Sequence, residues 1–134
     1  MIDLFREISA ECELGIPERH HKVVGVIGAG GIVTGAHLPA YKKAGLPIYA
    51  ITDISAEKAH SAAQEFDIPR VYASVEELLA DPAVEVVDIA VPAEEQPALL
   101  VAALEAGKHV LAQKPLATTV DDAVMMAKKT QETG

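Results

Sequence analysis

The sequence predicts an α/β domain with an open, doubly wound parallel sheet and helices on both faces. Three observations carry this prediction. From residue 23 onward, short apolar runs alternate with segments of helical periodicity, and this alternation favours parallel strands joined by right-handed crossovers. A glycine cluster at 28–31 follows the first apolar run directly, and an acid, Asp53, closes the second one.

The 134 residues suffice for one domain, and half of them are hydrophobic but only 4% aromatic, so the core should be aliphatic. The net charge of −9 argues against nucleic acid or an anionic membrane as a partner. The single cysteine, Cys12, excludes an internal disulfide framework. No run reaches the ~20 apolar residues of a membrane helix, and residues 1–12 do not look like a secretory signal, so we expect a cytoplasmic protein.

Residues 1–22 form a separate N-terminal extension in front of the domain at 23–134. Its apolar residues recur at helical spacing until Gly15-Ile16-Pro17 interrupts them, which predicts a short amphipathic helix. A disordered leader is the equally open alternative. The apolar positions are Met1, Leu4, Phe5, Ile8 and Cys12.

The first half of the domain should contain strands at Val23–Ile27 and Ile48–Ile51, with a helix between them. Ser55 is the expected N-cap of the next helix, which Ile68-Pro69 should end. The apolar face of that helix consists of Ala59, Ala62, Ala63 and Phe66.

The second half begins with a minimal strand at Val71-Tyr72 and a capping box, Ser74 with Glu77, before a short helix that stops at Asp81-Pro82. Val84–Val91 should be a strand covered on both faces, because Asp88 is the one charged residue in the otherwise apolar run from Val86 to Val91.

A helix from about Glu94 to Ala106 follows, and Gly107 should end it in a left-handed conformation. A strand then begins at His109–Leu111, and Thr118 or Thr119 should cap the final helix. The predicted apolar side of the final helix is Val120, Ala123, Val124 and Ala127.

In such sheets ligands bind at the carboxyl ends of the strands, so the loops beginning at Gly28, Asp53, Pro92 and Gln113 should converge on one site. Gly28, Gly30 and Gly31 would let the backbone turn tightly and approach a pyrophosphate. The amides as far as Ile32 would face its oxygens at the start of the helix. The alternative is that these glycines serve only the turn. The third fingerprint position holds Val33 instead of Gly or Ala.

Asp53 lies about 25 residues beyond Gly28, close to the ~20 expected for an acid that accepts hydrogen bonds from the adenosine ribose. Its carboxylate would repel a 2′-phosphate, and Lys58 is the nearby cation, on a helix. We therefore expect NAD as the cofactor rather than NADP. The alternative is a solvated strand end or a helix-capping acid beside Ser55.

Lys114 lies between Gln113 and Pro115, directly after a strand that looks buried. It is expected to project into the mouth of the cleft beside a nicotinamide, hold a substrate hydroxyl and assist proton transfer. The alternative is an ordinary surface charge. The five histidines show no metal-ligand spacing, so no metal site is expected.

With these residues in place, the chain from Val23 to Gly134 resembles the N-terminal domain of the glucose–fructose oxidoreductase / inositol dehydrogenase / rhizopine-catabolism (Gfo/Idh/MocA) family. The resemblance implies a Rossmann domain of an NAD(P)-dependent oxidoreductase that transfers hydride at a hydroxyl of a sugar, a cyclitol or a related compound. It also implies that Lys114 is the lysine of the Glu-Lys-Pro motif, which contacts substrate and cofactor. The matching segments are 28–32, 37–39, 74–79, 87–92 and 106–117, together with Asp53.

Three departures from the family pattern concern the nicotinamide half of the site. Gln113 replaces the usual Glu, Gln96 replaces a frequent His, and Val91 and Ala93 flank Pro92 where Thr-Pro-Asn is common. The adenosine half of the site is less affected.

The resemblance also implies a second α/β domain that supplies a catalytic Asp and His and walls the substrate pocket. We therefore expect the 134 residues to be a fragment that is catalytically incomplete, with an exposed apolar patch and a tendency to form homo-oligomers. Its partners would be a nicotinamide dinucleotide and, in the full-length protein, a sugar-like substrate. The competing hypothesis is a stand-alone NAD-sensing Rossmann module that acts through a partner.

Overall fold

The computed structural model describes residues 21–134, so the predicted helix of the N-terminal extension lies outside the described residues. The chain forms one parallel sheet of five strands in the order β3-β2-β1-β4-β5, which confirms the predicted fold class. The strands are β1 (Val24–Ile27), β2 (Ile48–Thr52), β3 (Arg70–Val71), β4 (Val86–Ile89) and β5 (His109–Ala112).

Helices cover both faces of this sheet. The backbone is helical from residue 31 to 43, with a π-helical stretch at Val33–His37 that continues into α1 (Leu38–Lys43). The other helices are α2 (Ala56–Phe66), α3 (Val75–Ala80), α4 (Gln96–Glu105) and α5 (Val120–Thr133). α1 and α2 pack on one face of the sheet, and α3, α4 and α5 pack on the other.

The predicted caps form because short polar side chains satisfy the free amides of a first helical turn. Ser55 accepts from the Lys58 amide at 3.4 Å, and Thr119 accepts from the Asp122 amide at 3.1 Å. Gly107, at φ +71°, follows α4 as predicted.

The capping box at α3 differs from its standard form in one detail. Ser74 accepts from the Glu77 amide at 3.2 Å, as predicted. The Glu77 carboxylate accepts from the amide of Ala73, at 3.0 Å, rather than from that of Ser74. The box therefore ties down the residue before the cap and the end of the loop that leads into α3.

β3 and β4 differ most from their predicted bounds. β3 pairs through Arg70 and Val71, and Tyr72 only donates its amide to the Ile51 carbonyl at 3.0 Å as the chain leaves the sheet. β4 is shorter than predicted at its start, because the amide of Val84 bonds to the Asp81 carbonyl at 3.2 Å and closes a turn after α3.

The predicted apolar side of α5 does not face the core. Met126 is the buried side chain, at 1% exposure, whereas Val120 and Val124 are 79% and 45% exposed and Ala127 is also exposed. α5 carries apolar residues on two sides, so periodicity alone cannot tell which side meets α4. Leu111 and Leu116 are also exposed, so the expected exposed apolar surface is present at this end of the chain.

Candidate functional site

The loops after β1, β2 and β4 meet at the carboxyl edge of the sheet and line a cleft of about 760 Å³. Five of the predicted site residues line it: Gly28, Gly30, Asp53, Val91 and Pro92. Gly31 and Ile32 lie one step further along the glycine loop. Three of the four loops that were expected to converge line this cleft. The fourth, with Gln113 and Lys114, lies beside the cleft and not in its wall.

Gly28 is required by the packing of the loop. Its φ is +110°, and an added Cβ would lie 2.4 Å from the Ala90 carbonyl oxygen. Its amide donates to the Thr52 carbonyl at 2.8 Å. Glycine at this position therefore lets the loops after β1, β2 and β4 approach one another at the base of the cleft.

Gly30 and Gly31 differ from Gly28, because an added Cβ at either position would meet nothing within 4 Å. The helix starts here: the amides of Val33 and Thr34 both donate to the Gly30 carbonyl, at 3.0 and 3.1 Å. Within the described part of the chain, the amides of residues 30–32 have no such acceptor. The loop thus presents free donors and the positive end of a helix dipole to open space, which suits an anion.

Asp53 is held in a fixed orientation by two backbone amides. Oδ2 accepts from Ala29 and Oδ1 accepts from Ser55, both at 2.7 Å. The carboxylate therefore ties the glycine loop to the end of β2 while it lines the cleft. A carboxylate has about four acceptor positions, so lone pairs are left for further donors. The predicted binding role and the alternative capping role are compatible in this geometry.

The other charged side chains in the cleft wall are one lysine and three glutamates: Lys58, Glu76, Glu94 and Glu95. A hydrogen bond from its own backbone amide and another from Ser74 hold the pKa of Glu76 below its usual value. Sequence reasoning missed the contribution of residues 73–76 to this wall. They follow β3, and the rule that parallel strands end at one edge could have identified them.

Val91 and Pro92 form the start of the loop after β4. Val91 is half-buried and packs against the core, while Pro92 is exposed and accepts a hydrogen bond from the Glu95 amide at 3.0 Å. The loop therefore turns away from the sheet into α4 and leaves its first residues in the cleft wall.

Gln113 joins a hydrogen-bonded network beside the cleft. Its Nε2 lies 2.7 Å from Nε2 of His37, and its Oε1 accepts from the Lys114 amide at 2.7 Å. His37 Nδ1 in turn lies 2.7 Å from Oδ2 of Asp88, which is 1% exposed. The hydroxyl of Tyr41 donates to the same oxygen at 2.7 Å. Burial, and then this hydrogen bond, raise the pKa of Tyr41 far above its usual value.

Gln96 anchors the segment after Lys114. Its side chain is fully buried at the start of α4, and Nε2 donates to the Pro115 carbonyl at 2.7 Å across a cis Lys114–Pro115 peptide. The side chain of Lys114 itself is exposed. Both glutamines that depart from the family pattern therefore hold the backbone on either side of Lys114.

Among residues 21–134, no group of three or more His, Cys, Asp and Glu side chains could hold a metal ion. Within the same range, no helix has the length and apolar character needed to cross a membrane.

Comparison with known proteins places this geometry in a family. The model of an oxidoreductase family with an NAD-binding Rossmann fold, Gfo/Idh/MocA, matches residues 22–134. A 1,5-anhydro-D-fructose reductase of Ensifer adhaerens is 37% identical over 110 residues, which is 82% of this chain and 33% of the relative. An inositol 2-dehydrogenase/D-chiro-inositol 3-dehydrogenase of Shouchella clausii is 40% identical over 101 residues, 73% of this chain and 29% of the relative.

Solved structures agree with the sequence comparisons. A 3-ketoreductase from Actinomadura kijaniata, in complex with NADP and TDP-benzene, superimposes with a TM-score of 0.78 at 31% identity, over 85% of this chain and 35% of that one. A levoglucosan dehydrogenase in complex with NADH and L-sorbose superimposes with a TM-score of 0.77 at 31% identity, over 84% and 32%.

The chain spans about a third of the length of the relatives that it matches. The fold, the glycine loop at the carboxyl edge of the sheet and the match over residues 22–134 agree with one another. The chain belongs to the Gfo/Idh/MocA family of oxidoreductases, whose members carry an NAD-binding Rossmann fold.

Proposed function

We propose that this chain is the coenzyme-binding domain of an NAD(P)-dependent dehydrogenase that acts on a hydroxyl group of a sugar, a cyclitol or a related compound. One observation carries the proposal. Gly30, the first of the free amides at residues 30–32, and the fixed carboxylate of Asp53 line one cleft of about 760 Å³, large enough for most of a dinucleotide.

The glycine loop would bind the diphosphate. Gly30 and Gly31 leave the loop open where a side chain would block a phosphate, and the amides as far as Ile32 supply the donors. Gly28 would act indirectly, by holding the loop against Ala90. Val91 and Pro92 would line the path from the diphosphate towards the nicotinamide.

Asp53 would accept hydrogen bonds from the adenosine ribose, and this favours NAD over NADP. Because Ala29 and Ser55 hold both oxygens, the carboxylate cannot swing away from a 2′-phosphate. Lys58 lies in the same cleft wall and would act in the opposite direction. Relatives solved with NADP and with NADH both exist, so the preference depends on the balance between these two side chains.

Lys114 is the proposed catalytic residue, at the edge of the nicotinamide half of the site. The bound cofactor supplies the hydride acceptor, and Lys114 would hold the substrate hydroxyl and assist its loss of a proton. The uncharged side chain of Gln113 would contact the nicotinamide end of the cofactor. The relatives' named activities on anhydrofructose, inositol and levoglucosan support a polyhydroxylated substrate.

The chain covers about a third of its relatives, so turnover belongs to the whole protein and the 134 residues alone would not catalyse it. The exposed apolar residues on α5 would support self-association of the isolated chain. A sensing module is the weaker hypothesis, because the relatives named here are dehydrogenases and reductases.

The test is a fluorescence titration of the chain with NADH and with NADPH. The proposal expects saturable binding of NADH and weaker binding of NADPH. In the Gly30→Ala variant, NADH affinity should fall at least tenfold, because the new methyl group occupies the space for the diphosphate. Lys42→Ala, at an exposed lysine that does not line the cleft, is the control. Absence of binding by both the chain and the full-length protein would contradict the proposal.

A further inference from the structure

Three side chains and one amide form a continuous set of hydrogen bonds between the sheet interior and the backbone of Lys114. Asp88 lies in the middle of β4, His37 at the end of the π-helical stretch, and Gln113 in the loop after β5. The hydrogen bonds between Asp88 and His37, between His37 and Gln113 and between Gln113 and the Lys114 amide are each 2.7 Å long. The first two of these bonds connect residues that are separated in the sequence by 51 and 76 positions, respectively.

The direction of each bond follows from the chemistry of its two ends. The Lys114 amide can only donate, so the side-chain oxygen of Gln113 must face it and the NH₂ group must face His37. His37 Nε2 must then accept, and it carries no proton. The remaining ring proton lies on Nδ1, where it is donated to the Asp88 carboxylate.

The environment of Asp88 supports the same assignment. Its Oδ1 is buried without a hydrogen-bond partner in the described part of the chain, so both donors to this carboxylate act on Oδ2. Those donors are the Nδ1–H of His37 and the hydroxyl of Tyr41. A buried carboxylate needs such donors, and a histidine protonated only on Nε2 would remove one of them.

We infer that His37 is a positioning residue: as the neutral Nδ1–H tautomer it holds Gln113, and through Gln113 the backbone of Lys114. The inference deepens the proposed function, since it assigns this role at the site where Lys114 would meet the substrate. It also explains why a glutamine at position 113 suits this chain. The amide is the group that can donate to the ring and accept from the backbone at once.

The glutamate usual at position 113 would require a different protonation state. A carboxylate accepts only, so His37 would need a proton on Nε2 to bond to it and a proton on Nδ1 to bond to Asp88. The ring would then be cationic between two carboxylates. The charge-bearing or titratable groups in contact with the ring would be Asp88, Tyr41 and the new carboxylate at position 113.

The first experiment is NMR of the chain labelled with ¹⁵N at histidine, with His37 assigned by its loss in a His37→Asn variant. In the unmodified chain at neutral pH, the inference expects one protonated ring nitrogen, Nδ1, and one unprotonated nitrogen, Nε2. In Gln113→Glu, both nitrogens should be protonated. An Nε2–H tautomer in the unmodified chain, or an unchanged neutral ring in Gln113→Glu, would overturn it.

The second experiment measures solvent exchange of the Lys114 amide. His37→Asn keeps a donor for Asp88 but has no group at the position of Nε2, so Gln113 loses its anchor. The amide should then exchange roughly tenfold faster, as expected for loss of one hydrogen bond. His60→Asn is the matched control, because the Nδ1 of exposed His60 bonds to its own helix, at the Ala56 carbonyl.

Unchanged Lys114 exchange in a folded His37→Asn chain would refute the positioning role. If that variant does not fold, the tautomer of the unmodified chain and the Gln113→Glu result still decide the question. Neither measurement uses a coenzyme. If neither the chain nor the full-length protein bound NADH but the chain showed the Nδ1–H tautomer, the proposed function would be contradicted and this inference would not.

Discussion

Replacing Gly28 with alanine tests whether this residue is held by packing rather than by ligand contact. The new Cβ would lie 2.4 Å from the Ala90 carbonyl oxygen and 3.1 Å from its carbon, at a φ of +110°. The contacts are with backbone, so relief requires the loops after β1 and β4 to move apart. The Gly28 amide bond to Thr52 would be disturbed by the same movement.

The size of the effect follows from these two causes. A positive φ at a residue with a side chain costs about 1–3 kcal/mol. Overpacking by one methyl group costs about 1–3 kcal/mol more. Gly28→Ala should therefore lower the free energy of unfolding by roughly 2–6 kcal/mol. At about 4 °C per kcal/mol, the melting temperature should fall by about 8–24 °C.

Urea and thermal unfolding followed by circular dichroism measure this difference. Gly30→Ala is the control, because its Cβ would meet nothing within 4 Å and its φ is not in the left-handed region. That variant should keep the stability of the unmodified chain within about 0.5 kcal/mol. Equal stability of Gly28→Ala and the unmodified chain would refute the packing argument.

Asp53→Asn should weaken NADH binding and improve binding of NADPH relative to NADH, since the new amide cannot accept from both loops and carries no charge. Parallel titrations with NADH and NADPH measure the ratio of the two affinities, and an unchanged ratio would contradict the assigned role. The hydrogen bond from Tyr72, and next the Ala83 amide, hold the pKa of Asp81 below its usual value. The unfolded state therefore binds this proton first, so the contribution of Asp81 to stability is present above its unfolded pKa of about 3.9 and is lost as the pH falls. Tyr72→Phe should flatten that acid limb of the stability curve, and an identical curve would argue against the bond. Met126→Ala should cost about 2–5 kcal/mol in urea unfolding, whereas Val124→Ala should cost less than about 1 kcal/mol, and equal losses would contradict the observed face of α5.

Most of the local structure could be read from short-range signals. Ser55 and Thr119 cap helices because a hydroxyl just before a helix can accept a hydrogen bond from a free amide of the first helical turn. Gly107 marks the end of α4 because only glycine enters the left-handed region without cost. The helix from 31 to 43 was expected, but its π-helical turn at Val33–His37 has no signature in spacing.

The candidate site was predictable in its position and less so in its contacts. The glycines and Asp53 were expected at the carboxyl edge of the sheet, where the structure has them. The binding of Asp53 to the amide of Ala29 depends on two loops that are 24 residues apart, so no local pattern could indicate it. His37 and Asp88 were not singled out as site residues, because their side-chain partners lie 47 to 76 residues away.

The sequence alone determined the order of strands and helices, the parallel sheet and the edge at which a ligand would bind, because propensity, caps and chain connectivity act over a few residues at a time. Only the tertiary structure decided which side of α5 is buried, and that the ammonium of Lys108 lies inside, bonded to the carbonyls of Asp81 and Val84 at 2.7 and 2.8 Å. Those outcomes depend on which surfaces meet once the sheet has formed. A hydrogen bond or an apolar contact between distant segments has no counterpart in the neighbouring residues of either one.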